Sequence, residues 1–250
     1  MTVGNAHAYC DESGNTGANL LDLNQPLLLV GGWLVNDGIV EVAERVVREY
    51  ISILKPHDNE LHGVQLLRSQ IGTFSILNLM HDFYKLYCPP ICQILEKRFL
   101  LAGTVHEVFM DPDSNPYVSD RFTFMWEGKH ELVEKVYSLP DEVLAGFAKA
   151  FDTLDRSLLL DSLRNIATAL SLRLDGELAD LMLGSLPYID RIIDKHNTGR
   201  TRFNSITLNT PNVASFHMFF HSLEDIGRMA KIPEITLVHD ENRQFEAVFH

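Results

Sequence analysis

The chain alternates short apolar runs with longer segments of helical periodicity. His7 to Cys10 is β-compatible and runs into Asp11-Glu12-Ser13-Gly14-Asn15-Thr16-Gly17. Asp, Ser, Gly and Asn form turns, so this strand is expected to end near Asp11. Leu27 to Val35 is mainly apolar with Gly31-Gly32 inside it, which reads as a buried strand with a bulge or a close backbone approach. Asn36-Asp37 can cap a helix, and Ile39, Val42, Val46, Val47, Tyr50 and Leu54 follow at helical spacing until Lys55-Pro56. Thr73 to Tyr87 predicts a second helix, stopped by Pro89-Pro90. Phe99 to Phe109 is rich in β-formers and reads as a strand, and Asp111 to Pro116 as a loop. From Arg121 to about His196, Leu, Ala, Glu and Lys dominate and predict helices, with turns at Leu139-Pro140-Asp141 and Leu186-Pro187. Phe203 to Leu208 gives another β signal. Thr210-Pro211-Asn212 opens a helix to Lys231, and Ile235 to His239 is a strand that ends in Asp240-Glu241.

This order predicts an α/β fold: a mixed sheet flanked by helices, with a helical insertion in the second half. A single domain over residues 1–250, with the insertion at about 116–200, accommodates it. Composition agrees, since a 46% hydrophobic fraction across 250 residues excludes a disordered chain.

Charge changes the picture. The net charge is −13, whereas a free-standing nucleic-acid binder draws most of its affinity from basic residues on phosphates. Any nucleic-acid role must therefore use a local basic patch, metal ions or a partner. Lys195-His196-Asn197-Thr198-Gly199-Arg200-Thr201-Arg202 is the densest basic stretch and reads as a glycine-containing loop suited to phosphate, or as a solvated turn. Three cysteines, Cys10, Cys88 and Cys92, argue for a reducing compartment rather than a disulfide framework. The N-terminal residues lack a basic segment followed by an apolar run, and no apolar run is long enough for a membrane span. A cytoplasmic protein with no membrane partner is expected.

Two predicted strand ends carry acidic pairs, Asp11-Glu12 and Asp240-Glu241. Ligands bind at the carboxyl ends of strands in open α/β sheets. Should the two strands be neighbours, Asp11 and Asp240 would lie side by side and repel. A hard divalent cation such as Mg²⁺ relieves that repulsion through oxygen ligands. Asp at a strand end is also an ordinary turn starter.

The wording of the first motif adds to this. Tyr9-Cys10-Asp11-Glu12-Ser13-Gly14, directly after a short strand, resembles the opening of the domain-of-unknown-function 3800 family, whose members look ribonuclease H-like. Glu60-Leu61-His62-Gly63 resembles the family's Glu-Ile/Leu-His-Ala/Gly segment, and Val238 to Phe245 its later strand with a terminal acidic residue. The resemblance implies a two-metal site using Mg²⁺ or Mn²⁺, with the ions about 3.5–4 Å apart. Asp11 would bridge the metals, Glu60 and Asp240 would complete the shell, and Glu12 and Glu241 would be alternates. Ser13 and Gly14 would shape a phosphate-binding turn, and His62 would orient a water or a carboxylate. The family's last acidic residue, in an Ala-Asp pair, has no counterpart between Asp240 and His250: either the molecule is truncated, or Glu246, Glu224 or Asp225 replaces it, or the site is incomplete.

The expected function is a metal-dependent nuclease or phosphodiesterase, and the resemblance is compatible with prokaryotic defence or mobile-element biology. RNA or DNA would be the partner, bound weakly without help, with Lys195, Arg200 and Arg202 contributing. Two alternatives remain: a non-catalytic ribonuclease H-like module that binds a protein or nucleic acid, and a nucleotide phosphohydrolase. Elsewhere, His217 and His221 share one helix face at the spacing zinc sites use. With Phe216, Phe219 and Phe220 around them, that helix reads first as one packing on the sheet. Cys88-Pro89-Pro90-Ile91-Cys92 reads as a stiff turn.

Overall fold

The computed structural model describes residues 4–14, 19–57, 61–123, 125–202 and 211–239. Four strands form an open mixed sheet: β1 (Ala6–Ser13), β2 (Leu27–Asn36), β3 (Pro90–Glu96) and β4 (Ile235–His239), in the order β3-β2-β1-β4. β4 runs parallel to β1, with Ala6 opposite Ile235 and Cys10 opposite His239. Ala6, Ala8 and Cys10 alternate on the buried face of β1, the two-residue period of a strand. β1 passes the expected stop at Asp11 and ends at Ser13, because pairing carries it beyond the first turn-forming residue. Gly14 makes the turn instead. Its φ is +88°, and a Cβ there would stand 2.2 Å from the Leu27 carbonyl oxygen. The close approach expected at Gly31-Gly32 falls on Gly32, where a Cβ would meet the Tyr9 carbonyl oxygen at 1.9 Å.

β3 was not anticipated. Pro89-Pro90 ends a helix as expected, but Pro90 also opens a strand at the edge of the sheet, where a missing N–H is tolerated. The segment from Cys88 to Cys92 is thus a turn leading into a strand, and all three cysteines are free thiols.

The helices are α1 (Val40–Leu54), α2 (Gly63–Leu66), α3 (Gln70–Lys85), α4 (Lys97–Phe109), α5 (Asp120–Thr123), α6 (Trp126–Tyr137), α7 (Asp141–Thr153), α8 (Arg156–Ser171), α9 (Gly176–Leu183), α10 (Ile189–Arg202) and α11 (Pro211–Ala230). The strand expected at Phe99–Phe109 is helix α4. Its β-branched and aromatic residues suggested a strand, but Leu101, Ala102, Val105, Val108 and Phe109 repeat at the helical period and are all buried. An apolar helix buried on most of its circumference imitates a buried strand in composition. The β signal at Phe203 to Leu208 lies outside the described residues.

The chain divides into two compact units. One comprises Met1–Asp11, Val30–Gln93 and His217–Glu241; the other comprises Glu12–Leu29, Ile94–Phe216 and Asn242–His250. In the first, α1 and α3 close a core of Val35, Ala43, Phe83 and Cys88, with Tyr9, Trp33 and Val47 against it. Ser69 caps α3 by accepting the Gly72 N–H at 3.0 Å, and burial pushes the Cys88 thiol pKa up. In α11, Phe219 and Leu223 are buried, and the Gln93 amide nitrogen donates to the Ser222 hydroxyl at 2.5 Å.

The second unit is a helical block around Leu101, Val105, Leu132, Leu144, Phe147, Leu159, Leu163 and Met182. Asn115 is fully buried and ties it together, donating at 2.8 Å to the carbonyls of both Phe109 and Leu181. Buried His106 places Nε2 2.8 Å from the Phe122 carbonyl, so that nitrogen carries the proton, and burial pushes its pKa down. No helix among the described residues is long and apolar enough to cross a membrane.

Candidate metal centre at the ends of two parallel strands

The parallel pairing of β1 and β4 brings two carboxyl ends together. In a parallel pair, partnered residues project to the same side of the sheet, so His239 shares a side with Cys10. Glu12, two residues beyond Cys10, shares that side by the period of the strand. Asp11 occupies the intervening position. Asp11, Glu12 and His239 each offer a ligand atom, and all three atoms lie within 4.8 Å of one another. Asp11 is exposed, while Glu12 and His239 are half-buried. Among the described residues, no other group of three or more such side chains converges in this way.

The donor set fits a divalent ion. With Mg²⁺–oxygen bonds of about 2.0–2.1 Å, opposite ligands stand about 4.2 Å apart, so the three side chains need only a small contraction to share one ion. Two carboxylates suit Mg²⁺ and Mn²⁺ alike, whereas an imidazole suits Mn²⁺ better than Mg²⁺. When bound, such an ion acts as a Lewis acid and lowers the pKa of its water.

The other predicted residues separate into three groups. Glu60, Asp240 and Glu241 lie outside the described residues, as do Glu246 and the side chains of Arg200 and Arg202. Ser13 is exposed at the end of β1, and Gly14 answers a steric need of the chain, the left-handed turn against Leu27. His62 immediately precedes α2, makes no side-chain cap to it and is not part of the Asp11 group. Glu224 and Asp225 sit on α11, where His221 and Arg228 engage them at 3.5 Å and 3.4 Å.

The basic stretch requires correction. Lys195 to Arg202 is not a loop but the C-terminal part of α10. Within that helix the described residues Asp194, Lys195, Asn197 and Thr198 are exposed. The Lys195 ammonium bonds to the Asp111 carboxylate, with Asp113 3.7 Å away. Burial opposes the Asp111 charge, yet Lys195 and the Asp113 backbone N–H hold its carboxyl pKa below the usual range. Lys195 is raised in turn by its bond to Asp111. This lysine is thus committed to two acids of its own chain.

His239 was the residue missed from sequence. Its signal was its place in the alternation of β4: Ile235, Leu237 and His239 are the half-buried positions, and Thr236 and Val238 the exposed ones. A histidine on the inward register at the last position of a strand is a candidate ligand.

Fold and site together define the class as an α/β protein with a mixed open sheet, consistent with a ribonuclease H-like arrangement. The chain matches no family model, no curated protein and no solved structure.

Proposed function

We propose that this chain is a divalent-metal-dependent phosphodiesterase or nuclease of ribonuclease H-like type, holding Mg²⁺ or Mn²⁺ through Asp11, Glu12 and His239. The observation that carries the reading is the convergence of these three side chains at the carboxyl ends of adjacent parallel strands. The likeness of the Asp11-Glu12-Ser13-Gly14 motif to the domain-of-unknown-function 3800 family supports it independently. Glu60 and Asp240 remain the candidates to complete the shell. The imidazole favours Mn²⁺ over Mg²⁺ as the activating ion.

The test incubates the full chain with single- and double-stranded RNA, DNA, RNA–DNA hybrid and nucleoside triphosphates, with Mn²⁺, with Mg²⁺ and with chelator. The expected result is Mn²⁺-dependent cleavage of a polymer, abolished by Asp11→Ala and His239→Ala. Cleavage that persists in chelator or in Asp11→Ala overturns the assignment. Hydrolysis of triphosphates alone moves the substrate to nucleotides.

One observation favours a second reading, a non-catalytic binding module. The net charge is −13, and Lys195 is spent on Asp111 and Asp113. Binding of a substrate from the panel, without turnover under any metal, selects it.

A further inference from the structure

We propose that α11 carries a second metal site, separate from the β1–β4 centre, that takes a late first-row transition ion through His217 and His221 with Glu224 behind them. The helix is oriented by its buried residues: Phe219 and Leu223 face inward and are almost wholly buried. His217 and His221, one turn apart, are thereby left on the exposed side. Their rings meet edge to face with centroids 4.5 Å apart, and Nε2 of one stands 3.2 Å from Nε2 of the other.

That spacing is what a shared ion needs. Zinc–nitrogen bonds of about 2.0–2.1 Å place neighbouring ligand nitrogens about 2.9–3.4 Å apart, between octahedral and tetrahedral angles. The second observation is at the far side of one ring. Glu224 Oε2 lies 3.5 Å from His221 Nδ1. A carboxylate there keeps the proton on Nδ1 and leaves the Nε2 lone pair for a metal, as the second shell of metal-bound histidines does. In the metal-free protein, His217 Nε2–H can donate to that lone pair. Metal entry requires only that His217 move its proton to Nδ1, so no proton need leave.

Two imidazoles exclude Mg²⁺ as the preferred ion and favour Zn²⁺, Ni²⁺ or Cu²⁺. The two nitrogens leave further coordination positions to water or to a donor from another molecule. The pair shares no ligand with Asp11, Glu12 and His239.

Zn²⁺ is titrated calorimetrically into the full chain, in excess Mg²⁺ so that hard oxygen sites are filled. Wild type is compared with His217→Ala, His221→Ala, the double variant, Glu224→Gln and Asp11→Ala. The double variant is expected to lose one equivalent of Zn²⁺, and each single histidine variant to weaken that equivalent at least tenfold. Glu224→Gln is expected to weaken it by about tenfold, the usual effect of removing such a partner. Asp11→Ala is expected to retain it. The substituted histidines are exposed, so circular dichroism should be unchanged. The same stoichiometry and affinity in the double variant and wild type overturns the proposal, as does the loss of this equivalent in Asp11→Ala.

Discussion

Gly32→Ala should destabilise the first unit severely. A Cβ at position 32 would lie 1.9 Å from the Tyr9 carbonyl oxygen and 2.8 Å from Cys10 Cα, where ordinary contact begins at 3.4 Å. The shortfall from 3.4 to 1.9 Å is 1.5 Å. The obstacle is backbone, so β2 and β1 must part by about that much. A ladder hydrogen bond of about 2.9 Å is then stretched beyond reach. Overpacking costs about 1–3 kcal/mol, and the loss of the two ladder bonds flanking the clash about 2 kcal/mol more, at about 1 kcal/mol each. The total is about 3–5 kcal/mol, a large share of the roughly 5–15 kcal/mol that holds a domain together.

Gly146→Ala is the matched control. It sits exposed in α7 with open space around its would-be Cβ, and should stabilise by about 0.5–1 kcal/mol. The two tryptophans read the two units separately, since Trp33 belongs to β2 and Trp126 to α6. In a Trp126→Phe background, Gly32→Ala should lower the urea midpoint reported by Trp33 by more than about 1 M. In a Trp33→Phe background, Gly146→Ala should raise the Trp126 midpoint. Because Asp11 and Glu12 ride on β1, Gly32→Ala should also weaken Mn²⁺ binding. A Gly32→Ala midpoint indistinguishable from that of its parent refutes the close approach and the strand order built on it.

The other predictions concern the site and the helical block. Mn²⁺ at a hundredfold excess over its Kd should stabilise the protein by about 2.7 kcal/mol in a thermal-shift assay, and Asp11→Asn or His239→Ala should remove that gain. His106 is held neutral by burial, so its folded pKa lies below its unfolded value. Its contribution is full above about pH 6.5 and is lost as pH falls towards the folded pKa; His106→Gln should flatten that part of the urea midpoint against pH. Asn115→Leu strips one donor from each of the Phe109 and Leu181 carbonyls and should cost about 2–3 kcal/mol, read at the Trp126 transition.

What could be read from the chain was what local pattern encodes. β2, α1 and β4 were legible because apolar runs, caps and helical spacing are written in neighbouring residues. α4 resembles a strand in residue type, because a buried helix and a buried strand use the same residues, and only its helical period sets it apart. β3 is hidden because its residue types run against its alternation: it opens on proline, places the polar Gln93 on the inward register with Ile91 and Leu95, and exposes Ile94. The site divided along the same line. Asp11 and Glu12 announced themselves by their place after a strand. His239 became a ligand candidate only when β4 was seen to lie beside β1, more than two hundred residues away in sequence. Lys195 looked available for phosphate because Asp111, its partner, is 84 residues distant.

These placements sharpen the problem of the net charge of −13. A protein that neutralises six to ten phosphates with Lys and Arg loses about 10³–10⁵ in affinity between 50 and 200 mM salt. Here the densest basic stretch lies in a helix, and its first lysine is paired with Asp111 of the same chain. On the proposed function, attraction comes from the bound ion, whose two positive charges cancel those of Asp11 and Glu12 and whose open coordination positions can take a phosphate oxygen. Affinity for a single-stranded oligonucleotide, followed by fluorescence anisotropy, should then vanish in chelator and return with Mn²⁺. Between 50 and 200 mM salt it should fall by less than about tenfold, because releasing one or two counterions cannot produce a steeper loss. A thousandfold loss with salt, or binding indifferent to chelator, would place recognition on a basic surface and detach it from the β1–β4 centre.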